Sequence, residues 1–291
     1  MTADTTTSEK PVYLTEGVPP KGLERVRLAV PDAAVPLLVK ARAKRKLRKP
    51  EVLAQAREEM TWLLDAVRTP EEIEAVSRRY VEQDTWRSEL RWHYKMIDFQ
   101  PVEGADNLAR ARKLGRGVII SFLHHGQYEG AMASVAHAEA PIHIAISPEM
   151  IGPEAPAFLR QHVRAGLVGG NTGVNVGAGA NILVEQLAAG RVLAIATDVP
   201  GKAPVRFLGK DRRGSSGAAR LAIGVNAPIV VMTAHHENGT IGLKLGEAIE
   251  PRDFADHDAL LGHLMAAQED AVLAWPEGYH HPTMRWGTLE G

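Results

Sequence analysis

Residues 117–131, GVIISFLHHGQYEGA, hold a nearly uninterrupted apolar run that ends in two histidines, a glycine and, five positions after the first histidine, a glutamate. The run GVIISFL is short, partly β-branched and apolar at consecutive positions. That is the pattern of a strand buried on both faces, as in a parallel sheet. His125-Gly126-Gln127 supplies turn chemistry, and a helical pattern starts near Tyr128. A strand-to-helix turn puts His124 at the carboxyl edge of a sheet, where open α/β folds gather their chemistry.

The same texture continues downstream. IHIAI (142–146), VLAIAT (192–197), APVRFLG (203–209) and PIVVMTA (228–234) read as strands, with helical patterns over 105–114, 129–138, 153–165, 179–189 and 215–225. TIGLKLGEAIE (240–250) alternates and reads as an edge strand, and a last helix over 256–274 precedes a tail rich in Trp, Pro and His. Residues 23–98 lack alternation and carry apolar side chains at three and four spacing, as in Leu53, Ala56, Met60, Leu63, Leu64 and Val67. Thr69-Pro70-Glu71-Glu72 marks a helix start. The predicted fold class is α/β, a mostly parallel central sheet flanked by helices with a helical N-terminal region. Its divisions are a flexible leader (1–22), helices (23–100) and an α/β core (101–291), the last two forming one domain.

Composition narrows the chemistry. Apolar residues at 45% and charged residues at 24% of 291 are ordinary globular values, and a formal net charge of −1 argues against a nucleic-acid partner. There is no cysteine, which removes thiolate nucleophiles and zinc-thiolate sites and leaves His, Asp, Glu, Ser and Arg. The polar leader has no apolar core of a signal peptide, and no apolar run reaches the roughly 20 residues of a membrane span. A cytoplasmic protein is expected. The pairs His235-His236 and His280-His281 lack the spacing of a metal site on one element, so no metal is expected.

The spacing His124-x4-Glu129 is weak by itself. His93 and Asp98 repeat it in RWHYKMID, which reads as a solvated helix face. Its value lies in the chemistry: a carboxylate that accepts the Nδ1 hydrogen fixes the tautomer, leaves Nε2 basic and stabilises the imidazolium. The competing reading has Glu129 capping its own helix and His124 as a core histidine. Asp198, after VLAIAT, is a second carboxylate at a strand end and can reach His124 equally well, or hold an Asx turn.

Arg206, Lys210, Arg212 and Arg213 precede Gly214-Ser215-Ser216-Gly217 and a helix start, which fits an anion site or solvated loop charge. Arg160 and Arg164 lie four apart on one helix face. GVNVGAGAN lacks the third glycine of a dinucleotide fingerprint and reads as a flexible loop near the site. KARAKRKLRKP (40–50) carries seven cations between Lys40 and Lys49. It suits an anionic membrane surface, an acidic carrier protein or simply solvent.

The block VEGADNLARARKLGRGVIISFLHHGQYEGA resembles the lysophospholipid acyltransferase superfamily, especially its bacterial lipid A late acyltransferase and phosphatidylinositol mannoside acyltransferase branch. The resemblance continues in order through ILVEQLAAGRVLAIATDVPGKAPVRFLGKDRRGSSGAARLAIGVNAPIVVM, covering roughly residues 100 to 250. The tail AWPEGYHHPTMRWG resembles the terminal signature, with Trp275, Tyr279 and Arg285 in corresponding places. The resemblance implies acyl transfer from a thioester, acyl-CoA or acyl-carrier protein, to a hydroxyl of a lipid, glycolipid or other small acceptor, with no cofactor. It implies His124 as general base and Glu129 as its orienting partner, with Asp198 a further site residue. Expected substrate contacts are His125, Gln127, Tyr128, Arg160, Arg164, Arg206, Ser215 and Ser216. Two other readings stay open: a thioester or ester hydrolase using the same histidine, and an inactive acyl- or lipid-binding protein.

Overall fold

A computed structural model describes residues 20–152 and 154–286. Of the expected leader, residues 1–19 lie outside the described residues. The N-terminal region is helical: α1 (Leu23–Ala29), α2 (Val35–Lys46), α3 (Pro50–Leu64) and α4 (Pro70–Leu90). Helix α4 starts at a complete capping box, in which Thr69 Oγ1 accepts from the Glu72 amide and Glu72 accepts from the Thr69 amide.

The core that follows is α/β. Its strands are β1 (Val102–Glu103), β2 (Val118–Phe122), β3 (His143–Ile146), β4 (Thr172–Asn175), β5 (Val192–Ala196), β6 (Pro200–Phe207), β7 (Lys210–Gly214), β8 (Ile229–Glu237) and β9 (Thr240–Ile249). The helices between and after them are α5 (Ala105–Arg112), α6 (Tyr128–Ala138), α7 (Pro148–Ile151), α8 (Ala157–Gly166), α9 (Ala180–Ala188), α10 (Gly217–Val225) and α11 (His257–Ala274). Seven strands form one sheet in the order β1-β9-β8-β2-β5-β3-β4. The run from β8 to β4 is parallel, and β9 is antiparallel to β8.

Strand β2 lies between β5 and β8 and is buried along its whole length. Its side chains alternate between two cores. Ile119 and Leu123 pack with α3, α4, α10 and α11, while Val118, Ile120 and Phe122 pack with α5 and α6. The N-terminal helices thus share a core with one face of the sheet: Met60, Leu64, Val76 and Tyr80 join the cluster that holds Ile119, Leu193 and Ile229.

Four expectations are corrected. APVRFLG is no strand of the parallel sheet; it is β6, paired antiparallel with β7 in a separate two-stranded hairpin. Strand β7, KDRRG, reads as a charged loop in sequence, yet its alternation sends Arg212 inward, where the guanidinium lies 3.6 Å from the Trp62 ring centroid. The glycine-rich segment expected to be a loop contains β4, an edge strand held by parallel pairing with β3. Segment 93–98 is no solvated helix face, because His93 and Asp98 are both buried and His93 Nδ1 lies 2.8 Å from Asp32 Oδ1.

Among the described residues no helix is long and apolar enough to cross a membrane. No group of three or more His, Asp or Glu among them is placed to hold a metal ion.

Candidate active site

The site follows from the register of two adjacent strands. Phe122 lies opposite Ala196 in the β2/β5 ladder, so the residues two positions on, His124 and Asp198, emerge side by side at the carboxyl edge. The Thr197 amide donates to the Phe122 carbonyl at 3.0 Å and holds the ladder closed up to that point. His124 Nδ1 is 2.7 Å from Asp198 Oδ1, and the His124 backbone amide donates to Asp198 Oδ2 at 2.9 Å. Both carboxylate oxygens of Asp198 are therefore engaged by one residue, which fixes the ring and its tautomer together.

Asp198 is completely buried. Burial opposes its ionisation, but the charge and hydrogen bonds of His124, together with Arg285, hold its carboxyl below the usual range. His124 is pushed below the ordinary imidazole value by burial, against the pull of Asp198 and with help from Arg285 and His162. At neutral pH the arrangement is a neutral imidazole that donates Nδ1–H to a carboxylate and keeps Nε2 as its basic nitrogen.

The turn after His124 is clamped by the C-terminal tail. Gly126 has φ +71°, and a Cβ there would stand 2.5 Å from the Ala234 Cβ, so the turn requires glycine. The Gly126 amide donates to the Gly278 carbonyl at 3.0 Å, the His280 amide donates to the His124 carbonyl at 2.9 Å, and His125 and Tyr279 form an antiparallel bridge. From α4, Arg87 donates through Nη2 to the same Gly278 carbonyl at 2.7 Å. His125 Nε2 donates to the Trp275 carbonyl at 2.8 Å, which makes it a satisfied core histidine, and burial lowers its pKa to about 4.

Around the dyad stands a ring of polar side chains. The Tyr128 ring meets His124 edge-on with centroids 4.8 Å apart, and its hydroxyl is 2.8 Å from His280 Nδ1. Arg285 reaches the same Nδ1 through Nη2 at 2.8 Å and the His280 carbonyl through Nε at 3.1 Å. Glu129 is turned away from His124: its Oε1 lies 3.8 Å from both Arg91 Nη2 and His162 Nδ1. The carboxylate that reaches His124 is thus Asp198, because the first turn of α6 carries Glu129 towards α4 and α8.

A cavity of about 1160 Å³ opens beside these groups. Its polar end holds His124, Tyr128, Glu129, His162 and Arg285, and its walls are mostly apolar, with Met132, Ile144, Val163, Leu183, Leu221 and Val225 among them and Glu149 and Arg220 also on the lining. Ser215 also lines it. Ser216 is half-buried at the α10 N-cap position without making a side-chain cap. Gln127 is half-buried at the start of α6, where its carbonyl accepts from Gln100.

The expected basic contacts are not at the cavity. Arg160 is buried and donates to the Ala155 carbonyl, and Arg164, its neighbour one turn on, is exposed. Arg206 pairs with Asp211 across the hairpin, Lys210 with Asp65, Arg212 with the Trp62 carbonyl and Arg213 with the Lys202 carbonyl. Strand alternation disperses these four cations over different faces, so they converge on no single anion. In α2, Arg42 pairs with Glu89 and Lys46 with Asp84, leaving Lys40, Lys44 and Arg45 exposed, with Arg48 exposed in the turn that follows.

His162, between Arg160 and Arg164, belongs to no motif in the sequence and enters the site only through the packing of α8 beside α6. Arg87 and Arg91 carry no local signal, and His280 stands out in sequence only as part of the His280-His281 pair and the tail signature. They reach the site only because α4 and the tail pack against the turn after β2. Arg285 enters the sequence reading only through the terminal signature.

No protein-family profile matches the chain, and no curated protein is similar to it in sequence. Among solved structures, the chain is similar to the 1-acyl-sn-glycerophosphate (LPA) acyltransferase PlsC from Thermotoga maritima, with a TM-score of 0.41 and 14% identity over 67% of this chain and 81% of that one.

Proposed function

We propose that the protein is an acyltransferase that moves an acyl group from a thioester to a hydroxyl, with His124 as general base. The observation that carries this reading is the His124–Asp198 pair at the polar end of a large, mostly apolar cavity. The pair suits proton abstraction, and the walls suit an acyl chain. In the proposed step, His124 Nε2 takes the proton of the acceptor hydroxyl as its oxygen attacks the thioester carbonyl. The tetrahedral intermediate then expels the thiolate, which receives the proton from the imidazolium. Asp198 orients the ring and stabilises its cationic form. Arg285, which lines the cavity beside His124, supplies positive charge where the oxyanion develops. No acyl-enzyme is required, in keeping with a chain that has no cysteine.

The proposed donor is acyl-CoA or an acyl-carrier protein, and the proposed acceptor is a lipid, glycolipid or other small alcohol. The exposed cations of α2, with Leu37 exposed beside them, support a docking role at an anionic membrane face or on an acidic carrier. The test is thiol release from palmitoyl-CoA and shorter acyl-CoAs, with and without a lipid extract, by wild type and His124→Ala. Acceptor-stimulated release that disappears in the variant supports transfer. Release that added acceptor does not increase, lost in the same variant, assigns a hydrolase instead.

A further inference from the structure

With Asp198 orienting His124, the acid of the His-x4-Glu spacing is left with no part in the dyad. Glu129 is nonetheless fully buried and lines the cavity together with His124, Tyr128 and His162. Its Oε1 accepts no hydrogen bond from any described residue. Arg91 Nη2 and the His162 ring nitrogen flank it as ion-pair partners at 3.8 Å, longer than an ordinary hydrogen bond. The group is ionised at neutral pH: burial opposes the charge, but His162, Arg91 and Arg87 outweigh burial and hold the carboxyl below its usual range. A buried carboxylate oxygen with no donor at hydrogen-bond length is uncommon, because ion pairs at longer distance make up only part of its lost hydration. The Glu129 carboxylate lines the cavity, so a molecule bound there is placed to supply it with a donor.

We infer that Glu129, with His162 beside it, is the recognition point for a second hydrogen-bond donor on the acceptor. The acceptor class is then an apolar-tailed alcohol that carries another hydroxyl or an amino group. One hydroxyl goes to His124 for acylation, and the other donor goes to Glu129. The Tyr128 ring, which packs against both His124 and His162 with centroids 4.8 and 5.4 Å away, separates the two positions. Glu129 is in this view a specificity residue, and a simple long-chain alcohol fills the walls but brings its carboxylate no hydrogen-bond donor. The inference rests on the cavity being the acceptor site of the proposed transferase.

The test uses binding, so that it does not depend on turnover. Calorimetric titration compares 1-decanol, 1-O-decylglycerol and the analogue of the latter with an amine in place of its terminal hydroxyl. The proteins are full-length wild type, Glu129→Gln, Glu129→Asp and Asp198→Asn. Wild type binds one or both of the two-donor probes about tenfold more tightly than decanol, as a charge-assisted hydrogen bond predicts. The tighter of the two tells whether hydroxyl or ammonium is preferred. Glu129→Gln brings the ratio close to one, Glu129→Asp restores part of it, and Asp198→Asn leaves it intact. A ratio near one in wild type, or an unchanged ratio in Glu129→Gln, overturns the inference. A general loss of folding would weaken all three probes equally and leave their ratio in the folded Glu129→Asp protein to decide. The transferase reading is judged separately by thiol release in wild type against His124→Ala.

Discussion

His124 and Asp198 are 74 residues apart in sequence and are joined by two hydrogen bonds, ring Nδ1 to Oδ1 at 2.7 Å and backbone amide to Oδ2 at 2.9 Å. Both sit two positions beyond a registered pair of the β2/β5 ladder, Phe122 and Ala196. The strand register therefore places the base, and the tail bound across the turn at His124 and Gly126 keeps it there.

The pH dependence of turnover follows from the His124 titration. The base works only when neutral, and burial holds its pKa below 6.5. Activity is therefore at its plateau at neutral pH and falls as the pH drops through the lowered value. Asp198 raises that value, so Asp198→Asn moves the acidic limb to still lower pH while reducing the rate. Rate profiles between pH 4 and 8 check both movements.

Stability has its own acid limb. His125 has a folded pKa of about 4 against an unfolded value near 6.5, so the unfolded chain binds more protons between those limits. The neutral form is favoured in the fold, and its contribution is present above pH 6.5 and lost as the pH falls towards 4, by about 3 kcal/mol at most. His280, also held neutral by burial, acts in the same direction. Chemical denaturation across this range should show the loss, and His125→Gln should flatten it.

Gly126→Ala should destabilise the fold by about 1–3 kcal/mol, because it combines a positive φ with a contact at 2.5 Å to a packed methyl group. The same substitution at Gly190, which has a positive φ but open space around it, should cost less. Urea midpoints of the two variants separate the steric part from the conformational part.

Arg285→Met should lower kcat by about 10²–10³-fold if its charge stabilises the oxyanion, with little change in KM for the acyl donor. Steady-state kinetics of the folded variant checks this split. An equal loss in KM would assign Arg285 to donor binding.

Chain-length preference is set in this account by the wall between α9 and α10. Leu221→Trp should narrow the cavity there and shift the preferred donor to a shorter acyl chain. Competition among acyl-CoAs of graded length reads the shift directly.

The sheet was legible in sequence where strands are continuous apolar runs, as in β2, β5 and β8, because burial on both faces puts apolar residues at successive positions, along all of β2 and over the first three or four residues of β5 and β8. His124 and Asp198 were legible for the same reason: each follows such a run. The choice between Asp198 and Glu129 was not, since it depends on the lateral order of strands, and β5 returns beside β2 only after β3 and β4 have been laid down. Strands β4 and β7 were obscured by glycine and by charge, whose compensation comes from partners elsewhere in the chain. Arg87 and Arg91 take part through packing of α4, for which no local pattern exists, and the His280-His281 pair gives no sign that His280 packs at this site.

The most direct test compares Asp198→Asn with Glu129→Gln in thiol release from acyl-CoA at saturating donor, in the absence of added acceptor and in its presence. The account predicts that Asp198→Asn loses about 10²–10⁴-fold in both conditions, the scale of a misdirected general base. Glu129→Gln should retain the acceptor-independent rate within a few-fold. If instead Glu129→Gln abolished both rates and Asp198→Asn left them intact, the assignment of Asp198 as the partner of His124 would be wrong.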